Sequence, residues 1–445
     1  MNVVLMSLDT LRADHLSCYG YKRLTSPHLD AVAEQGVLFL DAFSTHIPTH
    51  PAHTSLFTGT DVIKHQIVAQ GAKVELDPSI PTLPEILKGA GYFTAAADNL
   101  GRWFTRGFDI YEGYDWPRSS LEGWRKAEGV NAAALKVLKA CAEQSRPFFA
   151  FLHYWDPHTP YLPPPPFSRM FYSGDEKDPS NHSMDPVLNF PPFMWYFRQW
   201  MGDVRDIKFP CAQYDAEIAY MDTCLVHVWT FLSEAGLDEN TLLVITSDHG
   251  EELDEHKHWF DHHGLYDTNL RVPLIMRCPG VLPSGARVGG FVRLMDVAPT
   301  ILDILGMLDD RYKQQMDGRS ALPTIRGMEF GTCDTLFLTE STWMRKRGVR
   351  TRRWKYIEAL EPDIHNMPPR ELYDLESDPG ELNNLAEERP DVVNELSDEL
   401  HRWVQKRLSE TQKPDPMETQ GITLRQIGEP PSSSPGGGSA DPSRR

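Results

Sequence analysis

Three short runs, residues 3–8, 148–152 and 241–246, are almost wholly apolar, and each stops at side chains suited to metal or proton chemistry. Asp9 follows the first; His153, Asp156 and His158 follow the second; Ser247, Asp248 and His249 follow the third. A short apolar run that does not alternate is the pattern of a strand covered on both faces, as in a parallel sheet. In open α/β sheets ligands bind beyond the carboxyl ends of the strands, so such strands deliver their terminal side chains to one place. Helical patterns lie between them, at residues 29–35 closed by Gly36, 83–88 closed by Gly91 and 214–234 closed by Gly236. The alternation predicts an α/β fold: a large, doubly wound, mostly parallel sheet flanked by helices.

A chain of 445 residues has room for that sheet and a smaller partner. After Gly306 the strand signals shorten, at residues 336–340, 348–357 and 371–375, and a helical pattern covers 391–408. We therefore expect a large domain over residues 1–315 and a small C-terminal α+β domain over 316–410. Residues 163–210 break the rhythm with proline and aromatic clusters (PPPPF, FPPFMWYFRQW). They read as an irregular insertion, either a lid over a site or a surface loop. From 411 to 445 the chain is rich in proline, serine and glycine, which cannot bury a core, and it is expected to be disordered.

Charge narrows the partners. The formal net charge is −19, which disfavours nucleic acid and anionic membranes and requires a local site to hold an anionic substrate. No run approaches the roughly 20 apolar residues that span a bilayer, and the first residues lack the pattern of a signal peptide. These features predict a cytoplasmic protein with neither membrane nor nucleic-acid partners; homo-oligomerisation is left open. The six cysteines are widely spaced without a CxxC pair and read as buried free thiols.

The segment THPAHTSLFTG, residues 49–59, reads as a short helix with proline in its first turn and glycine at its end. Thr49 would then sit where free backbone N–H groups and the helix dipole favour negative charge, or it would simply cap the helix. Asp9, Asp248 and His249 are of the types that bind a divalent cation, and with a hydroxyl nucleophile they supply what displacement at phosphorus or sulfur needs. Downstream, the run 250–267 holds His256, His258, His262 and His263 out of 17 histidines in all. His262 or His263, and His158 after the second strand, are candidates for the proton donor to a leaving oxygen. His256 and His258 are equally readable as solvated surface residues, and His153 as a satisfied histidine at a strand end.

THPAHTSLFTG resembles the sulfatase signature, differing at its first and fifth positions, and SLDTLRADHLSCYGY, LHYWDPHTPYLPP, TLLVITSDHGEELDEH, LYDTNLRVPLIMRCPG and ELYDLESDPGELNNLA resemble further stretches of that family in order. The chain is thus similar to the sulfatase branch of the alkaline phosphatase superfamily as far as about residue 410. The resemblance implies metal ligands Asp9, Thr49, Asp248 and His249, with Thr49 also the nucleophile. It implies that His158 touches the transferred group and that His262 acts near the leaving group. His53 falls at the usual arginine, Thr10 at the second of two usual aspartates, and Asn99 at a usual lysine. With them, His53 and His263 join the catalytic set, and Asn99, His153 and His256 the substrate-binding set. Asp14 is given a supporting role.

The departures decide the expected chemistry. Sulfatases convert their cysteine or serine to formylglycine, and threonine is not a substrate for that conversion. Relatives with threonine there form a phosphothreonine, which points to phosphodiester or phosphonate monoester hydrolysis of a small anionic ester. A sulfuric ester hydrolase working without formylglycine is the alternative within the class, and a catalytically inactive anion sensor the alternative outside it. One divalent ion is expected: Mn2+ or Zn2+ suits a histidine and few oxygens, with Ca2+ and Mg2+ also compatible.

Overall fold

The computed structural model describes residues 1–115, 118–119, 123–124 and 126–424. Its centre is an eight-stranded sheet in the order Ala286–Val288, Val37–Phe39, Leu274–Arg277, Thr241–Thr246, Asn2–Leu8, Phe148–Tyr154, Phe93–Ala97, Ile110–Glu112. Every neighbouring pair is parallel except the two that involve Leu274–Arg277. The three apolar runs are side by side at the middle, with Asn2–Leu8 flanked by the other two, and all three are fully buried. Alternate residues of Asn2–Leu8 feed opposite cores. Val4, Met6 and Leu8 pack with residues of the helices Lys126–Ala142 and Lys208–Glu234, while Val3 and Leu5 pack with those of Thr49–Thr58, Leu83–Gly89 and Val297–Ile304. Helices on both faces explain why these strands carry no polar alternation.

A second sheet of five strands runs Arg370–Asp374, Trp354–Ala359, Lys346–Arg350, Leu336–Glu340, His46–Ile47. The first four form an antiparallel meander, closed by the helix Pro390–Thr411, whose Val393, Leu396 and Leu400 pack against Val349, Tyr356 and Leu372. The fifth strand, parallel to Leu336–Glu340, comes from the N-terminal part of the chain, immediately before the helix that Thr49 begins.

Two expectations are corrected. Residues 163–210 are not irregular throughout: they carry the helices Asp185–Leu188 and Met194–Met201, and Met184, Val187, Phe193 and Phe197 are buried in the main core. The tail is ordered through Leu424, with a short helix Pro416–Thr419 whose Met417 is buried beside Val62 and Val349. The remainder of that tail lies outside the described residues. None of the six cysteines is in a disulfide; three of them are buried and three half-buried. Among the described residues no helix is long and apolar enough to cross a membrane.

Candidate active site

Asp9 stands at the end of Asn2–Leu8, and Asp248 and His249 follow Thr241–Thr246, so parallel pairing in register brings the three together. Thr49 is the first residue of the ten-residue helix Thr49–Thr58, which abuts them from outside the sheet. All four are buried. His249 Nε2 lies 3.2 Å from the Thr49 hydroxyl, 3.2 Å from Asp248 Oδ2 and 3.8 Å from Asp9 Oδ1. Its Nδ1 donates to the carbonyl of Gly250 at 2.9 Å, which leaves the Nε2 lone pair facing the carboxylates. Gly250 is required here, because a Cβ on it would stand 1.9 Å from the carbonyl oxygen of Thr268.

The donor set fits a divalent cation. One ligand atom from each of Asp9, Asp248 and His249 lie within 4.8 Å of one another. Both oxygens of Asp9 and Oδ2 of Asp248 are buried with no hydrogen-bond partner among the described residues, a costly arrangement for carboxylates unless a cation is what they face. Asp248 Oδ1, by contrast, accepts from the backbone N–H groups of His249 and Thr10 at 3.0 and 3.3 Å. Burial opposes ionisation of Asp9, but the imidazoles of His153, His158 and His249 outweigh it and hold the carboxyl well below the usual range. Thr10 has φ of 60°, a left-handed conformation strained for a β-branched residue, and Tyr214 braces it by donating to its carbonyl at 2.7 Å.

Around this centre the structure sorts the remaining candidates. His153, at the end of its strand, places Nε2 3.5 Å from Asp9 and Nδ1 2.7 Å from Asp98. Burial disfavours its charge, yet the two flanking carboxylates raise it to about 10. His53 lies one turn into the helix Thr49–Thr58 with both ring nitrogens engaged: Nδ1 donates to the Thr49 carbonyl at 3.0 Å, and Nε2 accepts from Ser7 at 2.9 Å. Burial keeps it neutral, and it supports Thr49 and Asp248 from below. His262 stacks on His249 with ring centres 4.6 Å apart and lies 4.9 Å from half-buried His158. Burial, with His249 and His158 adding to it against the opposing charge of Asp261, lowers His262 to about 3. Asp14 is exposed and pairs with buried Arg12 at 2.8 Å, a supporting contact at the rim.

Three candidates make their contacts elsewhere. Asn99 is exposed and spends its side chain on the backbone of Tyr114, donating at 2.8 Å and accepting at 3.1 Å. His256 is held between Glu252 at 2.8 Å and the Gly380 carbonyl at 3.0 Å, and its ring stacks on Tyr266 at 3.8 Å. His263 turns away from the centre: its Nε2 meets His365 Nε2 at 2.7 Å, although the preceding residue, His262, covers His249. Neither His256 nor His258 is a solvated surface residue; both are buried.

Sequence reasoning missed Asp98, Lys126 and Glu251. Asp98 ends the strand Phe93–Ala97 and orients His153, so the same strand-end rule finds it. Lys126, only 2% exposed, donates to the His158 carbonyl at 2.6 Å and lies 3.7 Å from Asp156, holding the loop that carries His158. Glu251 is fully buried within 3.8 Å of His262 Nδ1, and burial raises its carboxyl well above the ordinary range.

Comparison with known proteins gives the family and the fold. The sulfatase family model matches residues 1–307, and the model described as N-sulphoglucosamine sulphohydrolase, C-terminal, matches 254–410. The multifunctional alkaline phosphatase superfamily protein PehA of Trinickia caryophylli is 24% identical over 86% of this chain and 91% of its own length. Choline-sulfatase of Rhizobium meliloti is 25% identical over 87% of this chain and 82% of its own. The crystal structure of the phosphonate monoester hydrolase of Agrobacterium radiobacter superposes with a TM-score of 0.74 at 24% identity, covering 92% of this chain and 96% of that one.

Proposed function

Since the chain belongs to the sulfatase family, we propose that it is a metal-dependent hydrolase that prefers phosphodiesters or phosphonate monoesters and cleaves them through a phosphothreonine at Thr49. One observation carries the reading: the hydroxyl that begins the helix Thr49–Thr58 faces His249 Nε2 at 3.2 Å, where a sulfatase would need a cysteine or serine to make formylglycine. A secondary alcohol can displace an alkoxide from phosphorus, but it cannot become an aldehyde hydrate.

Asp9, Thr49, Asp248 and His249 would hold the ion. A divalent cation supplies charge neutralisation for the ester oxygens and makes a hydroxyl easier to deprotonate. The residues themselves then define the path. Thr49 Oγ forms a bond to phosphorus as its proton passes to solvent water, and the bond from phosphorus to the leaving oxygen breaks on the opposite side, the departing alkoxide taking a proton from water. Backbone N–H groups of the first helical turn favour the anionic group beside them. His262 and His158 stand together where a departing oxygen could accept a hydrogen bond, and His262, kept neutral by burial, donates an N–H rather than carrying an extra proton. Water then attacks phosphorus, the bond to Thr49 breaks, and the oxygen of Thr49 regains a proton.

The test is a paired assay with p-nitrophenyl sulfate, p-nitrophenyl phosphate, its bis ester and p-nitrophenyl phenylphosphonate, each with Mn2+, Zn2+ or Ca2+, on wild type and Thr49→Ala. Mass analysis of acid-quenched enzyme reads the adduct. Faster turnover of a phosphorus ester, an adduct on Thr49 and silence in the variant are expected. Preferential sulfate turnover would overturn the proposal in favour of a sulfuric ester hydrolase; silence on every ester would favour an anion sensor.

A further inference from the structure

We propose that His258, His263 and His365 form a second transition-metal site, distinct from the centre at Asp9, that fastens the histidine-rich loop to the C-terminal segment. The three imidazoles converge, with one ring nitrogen from each within 4.8 Å of the others. His258 and His263 are buried and His365 is half-buried.

Two of the rings hold Nδ1 beside an acceptor and so favour a lone pair on Nε2. The Nδ1 of His258 donates to the carbonyl of His256 at 3.0 Å, and its Nε2 is buried without a hydrogen-bond partner among the described residues. Nδ1 of His263 lies 3.3 Å from a carboxylate oxygen of Asp261, outside hydrogen-bond geometry but close enough for the carboxylate to favour a proton on Nδ1 and a lone pair on Nε2. Nε2 of His365 lies 2.7 Å from Nε2 of His263, so in the metal-free protein His365 donates its N–H there and binding an ion moves that proton to its Nδ1. Zn–N bonds of about 2.0–2.1 Å at tetrahedral angles need nitrogens about 3.3 Å apart, so this pair would open by roughly half an ångström. His365 sits on a loop, which permits that movement.

The surroundings suit a closed, neutral-imidazole site. Phe190 stacks on His365 at 4.6 Å, and Phe193 lies 5.4 Å from His263, so the aromatic insertion forms one wall. Burial, reinforced by the neighbouring imidazoles and by Lys346, keeps His258 neutral and lowers His365 to about 2. Lys346 is itself paired with Asp363 at 2.9 Å and Glu371 at 3.0 Å, which limits its repulsion of a cation. Three imidazole nitrogens select Zn2+, Co2+ or Ni2+ over Ca2+ or Mg2+. Because His262 precedes His263, an ion here would also fix the residue that covers His249.

Co2+ titration of the chelator-treated full-length protein, read by metal analysis and visible absorption, tests the site. Wild type is expected to bind two equivalents, Asp248→Ala one, His365→Ala one, and the double variant none. A single equivalent in wild type, or two in His365→Ala, overturns the inference. Near-UV circular dichroism checks that His365→Ala is folded. Should it not be, X-ray absorption of Zn2+ in Asp248→Ala decides: three imidazole nitrogens at about 2.0 Å support the site, and an oxygen-only shell or no bound zinc refutes it.

Discussion

The hydroxyl of Thr49 lies 3.2 Å from Nε2 of His249, closer to that nitrogen than Asp9, whose Oδ1 is 3.8 Å from it. A strand end and a helix start separated by 200 residues thus share one polar pocket. The consequences can be measured.

In the proposed reaction His262 supports a leaving oxygen as a neutral donor, so its importance should grow with the basicity of the leaving group. His262→Ala should slow esters of alkyl alcohols by about tenfold, the value of one hydrogen bond to a charged group, and p-nitrophenyl esters far less. Equal losses on a series of aryl and alkyl esters would show that His262 acts on something other than the departing oxygen.

The Asp98–His153–Asp9 chain makes the metal-free protein sensitive to alkali. His153 is raised from 6.5 to about 10, so the folded state holds a proton that the unfolded state releases. The resulting stability is full below pH 6.5 and disappears as pH rises through about 10. In chelator-treated protein, Tm should fall between pH 6.5 and 10, and Asp98→Asn should flatten that fall. Asp98→Asn should also weaken metal affinity or turnover by roughly 10- to 100-fold, the usual effect of removing an orienting carboxylate.

Thr10 occupies a left-handed backbone position with its hydroxyl buried and without a hydrogen-bond partner. Aspartate tolerates that conformation better and adds a hard oxygen ligand. Thr10→Asp should therefore shift the preference from Mn2+ or Zn2+ toward Ca2+ or Mg2+ by on the order of tenfold, measured by metal competition. Chelation should abolish turnover in both proteins, with recovery on adding back the preferred ion. Unchanged selectivity would mean that residue 10 faces away from the cation.

Gly250 allows the backbone after His249 to pass against Thr268. Gly250→Ala puts a methyl 1.9 Å from a carbonyl oxygen that cannot rotate away. A loss of about 3 kcal/mol in denaturant unfolding is expected, with lower metal affinity, since the Gly250 carbonyl also orients His249. Wild-type stability in this variant would contradict the packing described.

The sheet was legible because its strands are buried on both faces and so betray themselves as unbroken apolar runs. The sites at their ends followed by topology. Asp98 obeys the same rule but ends an alanine-rich strand, FTAAA, whose apolar signal is weak. The histidine loop was not legible at the level of single residues. Trp259 and Phe260 adopt φ of 28° and 53°, conformations that bulky side chains rarely enter and no local pattern announces. That path sends His262 and His263 in different directions. His365 is 102 positions from His263, and only the packed fold brings it there. Lys126 is buried by tertiary contact, where a helix-surface lysine ordinarily meets solvent.

The strand His46–Ile47 belongs to the C-terminal sheet, yet Thr49 begins its helix two residues later. The two sheets are therefore stitched rather than joined end to end. Exchange of the C-terminal part between relatives, in evolution or by recombination in the laboratory, would pull on the helix that begins at Thr49. Variation in what the enzyme accepts should accordingly accumulate in loops such as 163–210, while the stitched seam is inherited as a single piece.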